Sequence, residues 1–272
     1  MTDRAPALLA RRSLFAAAAA ALGAGRARAQ APAPQDPWPE LAQQIFADRT
    51  LRDGSQLLAI EAPYRAEDAA LVPIVLRSLL PPGDARSIRA ITLVIDQNPS
   101  PLAAVFTPGP ASGMRLLSTR VRVDSYTNIH AVAELSDGEL YATQQFVKAA
   151  GGCSAPAANV AADGIPPGTM RFRRFASADP DRAEAEFAIR HPNNSGMQMD
   201  QVTRLYVPAH FVKSVRLMQG QDLLLSVESG ISIAENPTFR FDFRANGAIS
   251  ISADAEDNEG TSFHQSWAAT QT

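Results

Sequence analysis

The residue best suited to chemistry in this chain of 272 residues is its single cysteine, which lies in the sequence Gly151-Gly152-Cys153-Ser154. A cysteine reacts as its thiolate, so a functional thiol has to be accessible. One cysteine cannot form an internal disulfide. It is therefore a free thiol, forms a disulfide with another chain, or is a buried residue that acts as a small apolar side chain. The surrounding residues 149–168 contain few large apolar side chains that could bury them. We therefore predict an exposed thiol in a flexible loop.

The histidines show no metal-ligand spacing in the sequence; they are His130, His191, His210 and His264. Neither H-x₃₋₅-H nor H-E-x-x-H occurs, so we predict no metal site and interpret His191 and His210 as structural.

A Cys–His hydrolase is disfavoured, because a flexible glycine loop holds no base at hydrogen-bond distance. Residues 257–260 predict a plain turn rather than a calcium loop. No dinucleotide or phosphate-binding motif is present in the sequence, so no cofactor is predicted.

The elements that position the cysteine are mainly strands. Apolar residues at helical spacing predict a short helix over residues 38–48. Beyond it the apolar residues alternate, which predicts strands at 57–60, 88–95, 121–123, 129–135, 140–147, 186–189, 202–207, 211–218, 223–227 and 238–244. In the last of these, Phe239, Phe241 and Phe243 alternate with charged residues, and Asn246-Gly247 predicts a hairpin to a return strand. Such alternation is typical of antiparallel sheets with one buried face.

A change of composition divides the chain. Residues 149–168 are rich in Ala, Gly and Pro, as in a linker. Short strands at similar spacing on both sides of this segment predict an all-β protein of two immunoglobulin-like antiparallel β-sandwich domains. We place the domains at residues 38–148 and 169–272, joined by this Ala/Gly/Pro linker.

The first 29 residues have the features of an export signal. Arg4, Arg11 and Arg12 precede a short apolar run over 14–24, and Ala27-Arg28-Ala29 is an A-x-A cleavage pattern. The pair Arg11-Arg12 favours the twin-arginine route over an ordinary secretory signal. We predict a signal peptide over residues 1–29 that is cleaved near Ala29, a periplasmic location, and a disordered leader over residues 30–37.

The charge of the mature chain excludes some partners. Without the signal, 20 of the 25 Lys and Arg residues and 27 of the 28 Asp and Glu residues remain, so the net charge falls from −3 to about −7. A net negative chain is unsuited to nucleic acid or to an anionic membrane surface. No later segment of the sequence has the apolar length of a membrane helix.

The two halves resemble a pair of bacterial sulfur-oxidation proteins. The first half resembles SoxY at Ala62-Pro63, Ala66-Glu67-Asp68, Val72-Pro73, Asp96, Asn98-Pro99, Pro101, Arg120-Val121-Arg122, Asp137-Gly138, Tyr141 and Gly151-Gly152-Cys153. The second half resembles SoxZ at His191-Pro192, Ser195-Gly196, Asp200, Pro208-Ala209-His210-Phe211-Val212, Ser229-Gly230-Ile231-Ser232, Glu235-Asn236-Pro237, the strand with Phe239 and Phe241, and the turn 257–260. Together these positions cover nearly all of residues 50–265.

This resemblance implies a carrier rather than an enzyme. SoxY-like proteins carry sulfur intermediates covalently on the cysteine of a Gly-Gly-Cys arm, which implies Cys153 as the attachment site and Gly151, Gly152 and Ser154 as its arm. The implied partners are periplasmic sulfur-oxidising enzymes or a quinoprotein dehydrogenase system, and the two halves are expected to dock within one chain. The motif departs from the family's, since Ser154 follows the cysteine and the arm is internal. A non-covalent accessory module for a periplasmic dehydrogenase is the alternative.

Overall fold

The structure, a computed structural model, describes residue 2 and residues 36–81, 83–156, 164–175, 179 and 182–269. Apart from residue 2, the predicted signal peptide lies outside the described residues, as do 30–35 of the predicted leader and 157–163 of the predicted linker. Within the described part, one helix precedes the strands, α1 at Trp38–Phe46. The strands are β1 Leu51–Asp53, β2 Leu58–Glu61, β3 Val72–Ser78, β4 Ile88–Ile95, β5 Leu102–Pro108, β6 Leu116–Val121, β7 Thr127–Leu135, β8 Leu140–Val147, β9 Met170–Phe175, β10 Arg182–Ile189, β11 Val212–Gln219, β12 Asp222–Ser229, β13 Thr238–Arg244, β14 Ser250–Asp257 and β15 Ser262–Ala268.

The strands form two sheets around an apolar core. The larger sheet has the order β1-β8-β7-β4-β5-β12-β11-β14-β15, and the smaller has the order β2-β3-β6-β13-β10-β9. Alternate residues of both sheets are buried in one contiguous cluster, which runs from Leu58 to Ala269 along the chain. The predicted fold class, all-β with immunoglobulin-like sandwiches, is confirmed.

Both sheets continue from the first half of the chain (β1–β8) into the second half (β9–β15). In the larger sheet β5 pairs with β12 in antiparallel fashion over five residue pairs. In the smaller sheet β6 pairs with β13 over two. We call these two pairings the seam. The halves are therefore joined by backbone hydrogen bonds as well as by the chain itself.

The strand β13 shows the predicted alternation but not the predicted hairpin. Phe239, Phe241 and Phe243 are fully buried, while the residues between them are more exposed. The hairpin at Asn246-Gly247 is wrong, because β13 lies in the smaller sheet and β14 in the larger one. Both edges of β13 are already taken, by β10 and β6, so no edge remains for β14. The Asn-Gly turn instead carries the chain between the sheets.

Several other strand predictions differ from the structure. Residues 202–207 form no strand, since Val202 is 90% exposed in a turn and only Tyr206 makes an isolated bridge, to Met199. The strands β1, β3, β5, β9 and β15 were not predicted, and β6 ends where the predicted strand 121–123 begins. In β3, Pro73 obscures the alternation of apolar residues that predicts a strand, because proline is unusual within a strand. The pairing of β1 with β8 is parallel, which the prediction of purely antiparallel sheets missed.

The helix covers the outer face of β7 and β8. Its Phe46 is buried with Val132 and Leu140 in a second small apolar cluster. At the other end Trp38 stacks on the ring of His130 with 3.6 Å between the ring centroids. The predicted helix is thereby confirmed, with its last two residues in a turn. Of the helices in the described residues, none has the length and apolar character that crossing a membrane requires.

Candidate functional site at Cys153

Cys153 follows the last strand of the first half and lies against the backbone of that half. The N–H of Gly151 donates to the carbonyl oxygen of Asp124 at 2.7 Å, and the N–H of Gly152 donates to that of Val123 at 3.0 Å. Cys153 itself is 0% exposed. The predicted exposed thiol is therefore wrong for this conformation. Small residues do not need large apolar partners to become buried, because their bare backbone can pack directly against another segment.

The two glycines have a steric role in this packing. A Cβ atom at Gly152 would lie 2.0 Å from the carbonyl oxygen of Ala69 and 2.7 Å from that of Val123. No side chain fits at such distances. Gly151 has a φ of 76°, in the region that favours glycine. We call the position of the arm against this backbone its docked conformation. The Gly-Gly pair permits the docked conformation, in addition to the mobility and open access that the sequence predicts.

The second half of the chain closes the site. Ser195, which is 4% exposed, donates a hydrogen bond from its Oγ to the carbonyl oxygen of Cys153. The N–H of Ser195 donates to Oε1 of buried Gln198 at 2.8 Å, which fixes its segment. On the solvent side, Ser154 is exposed and its Oγ donates to the carbonyl oxygen of Gly151 at 3.2 Å. Residues from both halves thus hold Cys153.

A buried arginine lies beside the arm. Arg122 is 0% exposed; its Nη1 donates to the carbonyl oxygen of Gly152 at 3.5 Å and its Nη2 to that of Asn193 at 3.1 Å. Its Nε has no hydrogen-bond partner among the described residues. Burial lowers the pKa of this guanidinium. Asn98 supports the arginine from the other side, because its Nδ2 donates to the carbonyl oxygen of Arg122 at 2.8 Å.

The surroundings disfavour the thiolate. Burial raises the pKa of the Cys153 thiol to about 12, Asp124 acts in the same direction, and Arg122 acts against both. A thiol with this pKa stays protonated at neutral pH and is a poor nucleophile. The docked conformation therefore protects the sulfur atom rather than activating it.

The histidines fall into three settings. His130 is buried and its Nδ1 lies 2.9 Å from Oδ1 of Asp96, a structural position under α1. His264 is exposed beside Asp254. His191 and His210 lie next to each other with Asp257, an arrangement that sequence spacing did not reveal because the three residues belong to separate segments.

The family model described as sulfur oxidation protein SoxY matches residues 42–153, and the model described as sulphur oxidation protein SoxZ matches residues 170–268. The chain contains a SoxY domain and a SoxZ domain, as a SoxY–SoxZ fusion. These families indicate a carrier protein of sulfur oxidation. The SoxY match ends at Cys153, and the SoxZ match contributes Asn193 and Ser195.

Several solved structures resemble parts of the chain. The sulfur carrier protein SoxY from Chlorobium limicola f thiosulfatophilum is 25% identical, with 41% of this chain and 94% of that chain covered and a TM-score of 0.34. A superoxide reductase (neelaredoxin) from Ignicoccus hospitalis is 16% identical, with 40% and 90% covered and a TM-score of 0.30. A putative superoxide reductase from Thermotoga maritima is 18% identical, with 38% and 96% covered and a TM-score of 0.30. Among curated proteins, no sequence matches the chain.

The polar residues around the arm were missed as a site. Asn98, Arg122 and Ser195 lie at positions that resemble SoxY or SoxZ, but nothing in their spacing predicts that they meet at Cys153. Asn193 carried no signal beyond its place two residues after His191. They come together because the seam brings the end of β6 next to the segment that follows β10.

Proposed function

We propose that this protein carries a sulfur intermediate covalently on Cys153 and presents it to partner enzymes in the periplasm. The observation that supports this most is that the only cysteine of the chain is the final residue of the SoxY match. It lies on a Gly-Gly arm with buried polar residues of both halves around it. No catalytic base is needed in such a protein, because the partners supply the chemistry.

The covalent step constrains the partners. If Sγ joins a sulfur atom that is itself at the thiol level, one S–S bond forms while two protons and two electrons leave. The loading partner must therefore take up two electrons. If the incoming sulfur already belongs to a disulfide, a thiolate exchange suffices and no oxidant is required. In both routes Sγ reacts as the thiolate, which the docked conformation disfavours.

The arm must therefore leave its docked position to be loaded. Its backbone is held by the N–H groups of Gly151 and Gly152, by the hydroxyl of Ser195 and by a long contact to Arg122. Each such hydrogen bond contributes about 0.5–1.5 kcal/mol net, so opening costs a few kcal/mol, well within the range of local opening in folded proteins. The docked arm is then a resting state and the released arm the working state.

Genetic complementation tests this proposal. A strain that lacks the gene receives wild-type protein, Cys153→Ser or the neighbouring control Ser154→Ala, and oxidation of reduced sulfur compounds is measured. We expect Cys153→Ser to abolish the activity and Ser154→Ala to retain it. Full activity of Cys153→Ser would overturn the proposal, provided that both variants accumulate in the periplasm at wild-type levels.

The burial of the thiol favours a second candidate. A non-covalent accessory module for a periplasmic quinoprotein dehydrogenase system needs no reactive cysteine, and a sulfur atom with 0% exposure suits such a module. The same complementation separates the two functions, because the accessory role would survive Cys153→Ser.

A further inference from the structure

A cluster of two histidines and a carboxylate lies outside the Cys153 site. It consists of His191, His210 and Asp257, and one ligand atom from each of them lies within 4.8 Å of the others. Nε2 of His210 is 2.9 Å from Oδ2 of Asp257, and Nε2 of His191 is 3.8 Å from the same oxygen. Within the described residues, this is the only group of at least three such side chains close enough to share an ion.

Asp257 is positioned so that one oxygen faces the histidines, where it pairs with Nε2 of His210. It ends β14, at the turn to β15, and its Oδ1 accepts hydrogen bonds from the N–H groups of Glu259 at 2.9 Å and Thr261 at 2.8 Å. Oδ2 therefore points toward the two imidazoles with its orientation fixed by the turn. The side chain is 1% exposed. A carboxylate held in this way is a preorganised monodentate ligand.

The turn also holds His210 in place. Nδ2 of Asn258 donates to the carbonyl oxygen of Ala209 at 3.0 Å, and the N–H of Phe211 donates to Oδ1 of Asn258 at 2.7 Å. The residues on both sides of His210 are thereby tied to the segment that carries Asp257. The His210 side chain is 29% exposed, which leaves the cluster open to solvent on one side.

His191 is the member that the protein alone does not satisfy. Its side chain is 0% exposed, and Nε2 makes no hydrogen bond within the described structure. On its other nitrogen, Nδ1 accepts a hydrogen bond from the N–H of Asn193 at 3.1 Å and lies 3.0 Å from Oδ1 of the same residue. In the other tautomer, with the proton on Nδ1, this nitrogen donates to Oδ1 of Asn193 and the lone pair of Nε2 faces the carboxylate of Asp257, as metal binding requires. A buried polar atom without a partner is costly, and a cation between Nε2 and Oδ2 would give Nε2 of His191 a partner.

We propose that His191, His210 and Asp257 form a binding site for a divalent transition-metal cation, with Zn²⁺ as the best fit. Zinc binds histidine nitrogen and carboxylate oxygen at about 2.0–2.2 Å, so neighbouring ligand atoms of a tetrahedral site lie about 3.3–3.5 Å apart. Two of the three separations, 2.9 Å and 3.8 Å, lie on either side of that value, and the third is at most 4.8 Å. Two imidazoles with one carboxylate also exclude Mg²⁺ and Ca²⁺ as preferred ions, since those take oxygen ligands.

The surroundings supply the rest of such a site. Asn193 provides the outer hydrogen bond that orients a metal-binding histidine through its other nitrogen. Oε2 of Glu259 lies 3.7 Å from Nε2 of His210 on the open side, where a fourth ligand or water would bind. The carbonyl oxygen of Asn193 accepts from Arg122, so a bound metal would brace the segment that closes over Cys153.

Titration of the mature protein, purified without a histidine tag and treated with a chelator, tests this site. Zn²⁺ binding is followed by calorimetry, and Co²⁺ binding by the absorption bands of a tetrahedral complex. We expect one ion per chain. In His210→Gln the affinity should fall at least about 100-fold, since loss of an outer partner alone costs about 10–100-fold. The matched control is His264→Gln, which removes an exposed histidine that also pairs with an aspartate, Asp254 at 2.7 Å.

His210→Gln changes a partly exposed side chain, and circular dichroism establishes that this variant is folded. Thermal unfolding adds an independent reading, because Zn²⁺ should raise the Tm of the wild type and of His264→Gln but not that of His210→Gln. The proposal is overturned if the wild type binds no ion, if both variants lose affinity equally, or if His210→Gln binds as tightly as the wild type. None of these results depends on whether Cys153 carries sulfur.

Discussion

Burial of Cys153 controls its reactivity, because only the thiolate attacks electrophiles at a useful rate. Burial raises the pKa of this thiol from 9.0 to about 12. Below pH 9 the protonated thiol contributes fully to the stability of the docked conformation. This contribution is lost as the pH rises through 9 toward 12. At pH 8 we expect iodoacetamide to modify the native protein at least ~100-fold more slowly than the urea-unfolded chain, since three pKa units correspond to about 1,000-fold less thiolate.

Mass spectrometry of the alkylated protein between pH 7 and pH 10 measures this. The native rate should rise with pH as the arm is released. A native rate equal to that of the unfolded chain at every pH would show that the arm does not dock.

Gly152 offers a direct way to release the arm. In Gly152→Ala the new Cβ would lie 2.0 Å from the carbonyl oxygen of Ala69, so the docked conformation cannot form. We expect alkylation of Cys153 at pH 8 to become at least ~10-fold faster while the protein stays folded, because local opening does not require global unfolding. The Tm should fall by about 5–10 °C, because the hydrogen bonds of the docked arm are lost. Ser154→Ala, which leaves the docked backbone intact, should react like the wild type. An unchanged rate in Gly152→Ala would contradict the docked arm.

At the residue level, the role of Cys153 as attachment site stays a prediction, while the predicted exposure of its thiol is wrong. Composition indicates that residues 149–168 lack large apolar groups, and the usual inference is an exposed loop. The inference fails at Cys153 because Gly151 and Gly152 allow backbone to pack on backbone, and that contact depends on segments far away in the sequence, at Ala69, Asp124 and Ser195.

At the level of elements, Arg122 links the end of β6 to the segment after β10. Its two donors serve carbonyl oxygens of Gly152 and Asn193. In Arg122→Met both oxygens lose a charged donor, which costs about 2–3 kcal/mol. For a chain of this size we expect the Tm to fall by about 5–10 °C. Arg89→Met, which changes an exposed residue of β4, is the control and should stay within about 0.5 kcal/mol of the wild type.

Differential scanning calorimetry of both variants provides the comparison. An unchanged or higher Tm in Arg122→Met would mean that the cost of burying the guanidinium outweighs its hydrogen bonds, as occurs for some buried charges. Arg122 would then have no role in holding the two elements together.

Element prediction from the sequence succeeds where alternation is strong and local. The strand around Phe241 follows period two and is confirmed. The predicted strand 129–135 is confirmed as well, although its residues 129–133 are all buried. It fails at Asn246-Gly247, because turn chemistry specifies a change of direction and not the partner of the next strand. That partner is decided by which strand edges are still open, and β13 has none.

At the level of the whole molecule, the seam predicts that the halves remain together without a covalent link. Backbone hydrogen bonds join β5 to β12 and β6 to β13, and the apolar core contains residues of both halves. A protease site inserted within residues 157–163 and then cut should leave two fragments that co-elute at wild-type volume in gel filtration at micromolar concentration. Separation of the fragments would contradict the seam as described.

The division of the chain into two halves could be predicted, because composition changes sharply at residue 149 and short strands resume after residue 168, and the two family matches fit this division. The continuity of the sheets could not. It depends on β5 and β12 each having an edge without another strand partner, so that the two edges can pair. Periodicity does not encode which strand edges stay unpaired. The same limit applies to His191, His210 and Asp257, which the sequence separates and the fold brings together.

If Cys153 bears a covalent sulfur cargo, the intact mass of the protein shows it. Protein isolated from cells grown on reduced sulfur compounds is weighed before and after treatment with a reductant, alongside Cys153→Ser. We predict a sulfur or sulfonate adduct that the reductant removes and that is absent from the variant. A bare, alkylatable thiol under all growth conditions would contradict the carrier function and leave the accessory module as the function of this fold.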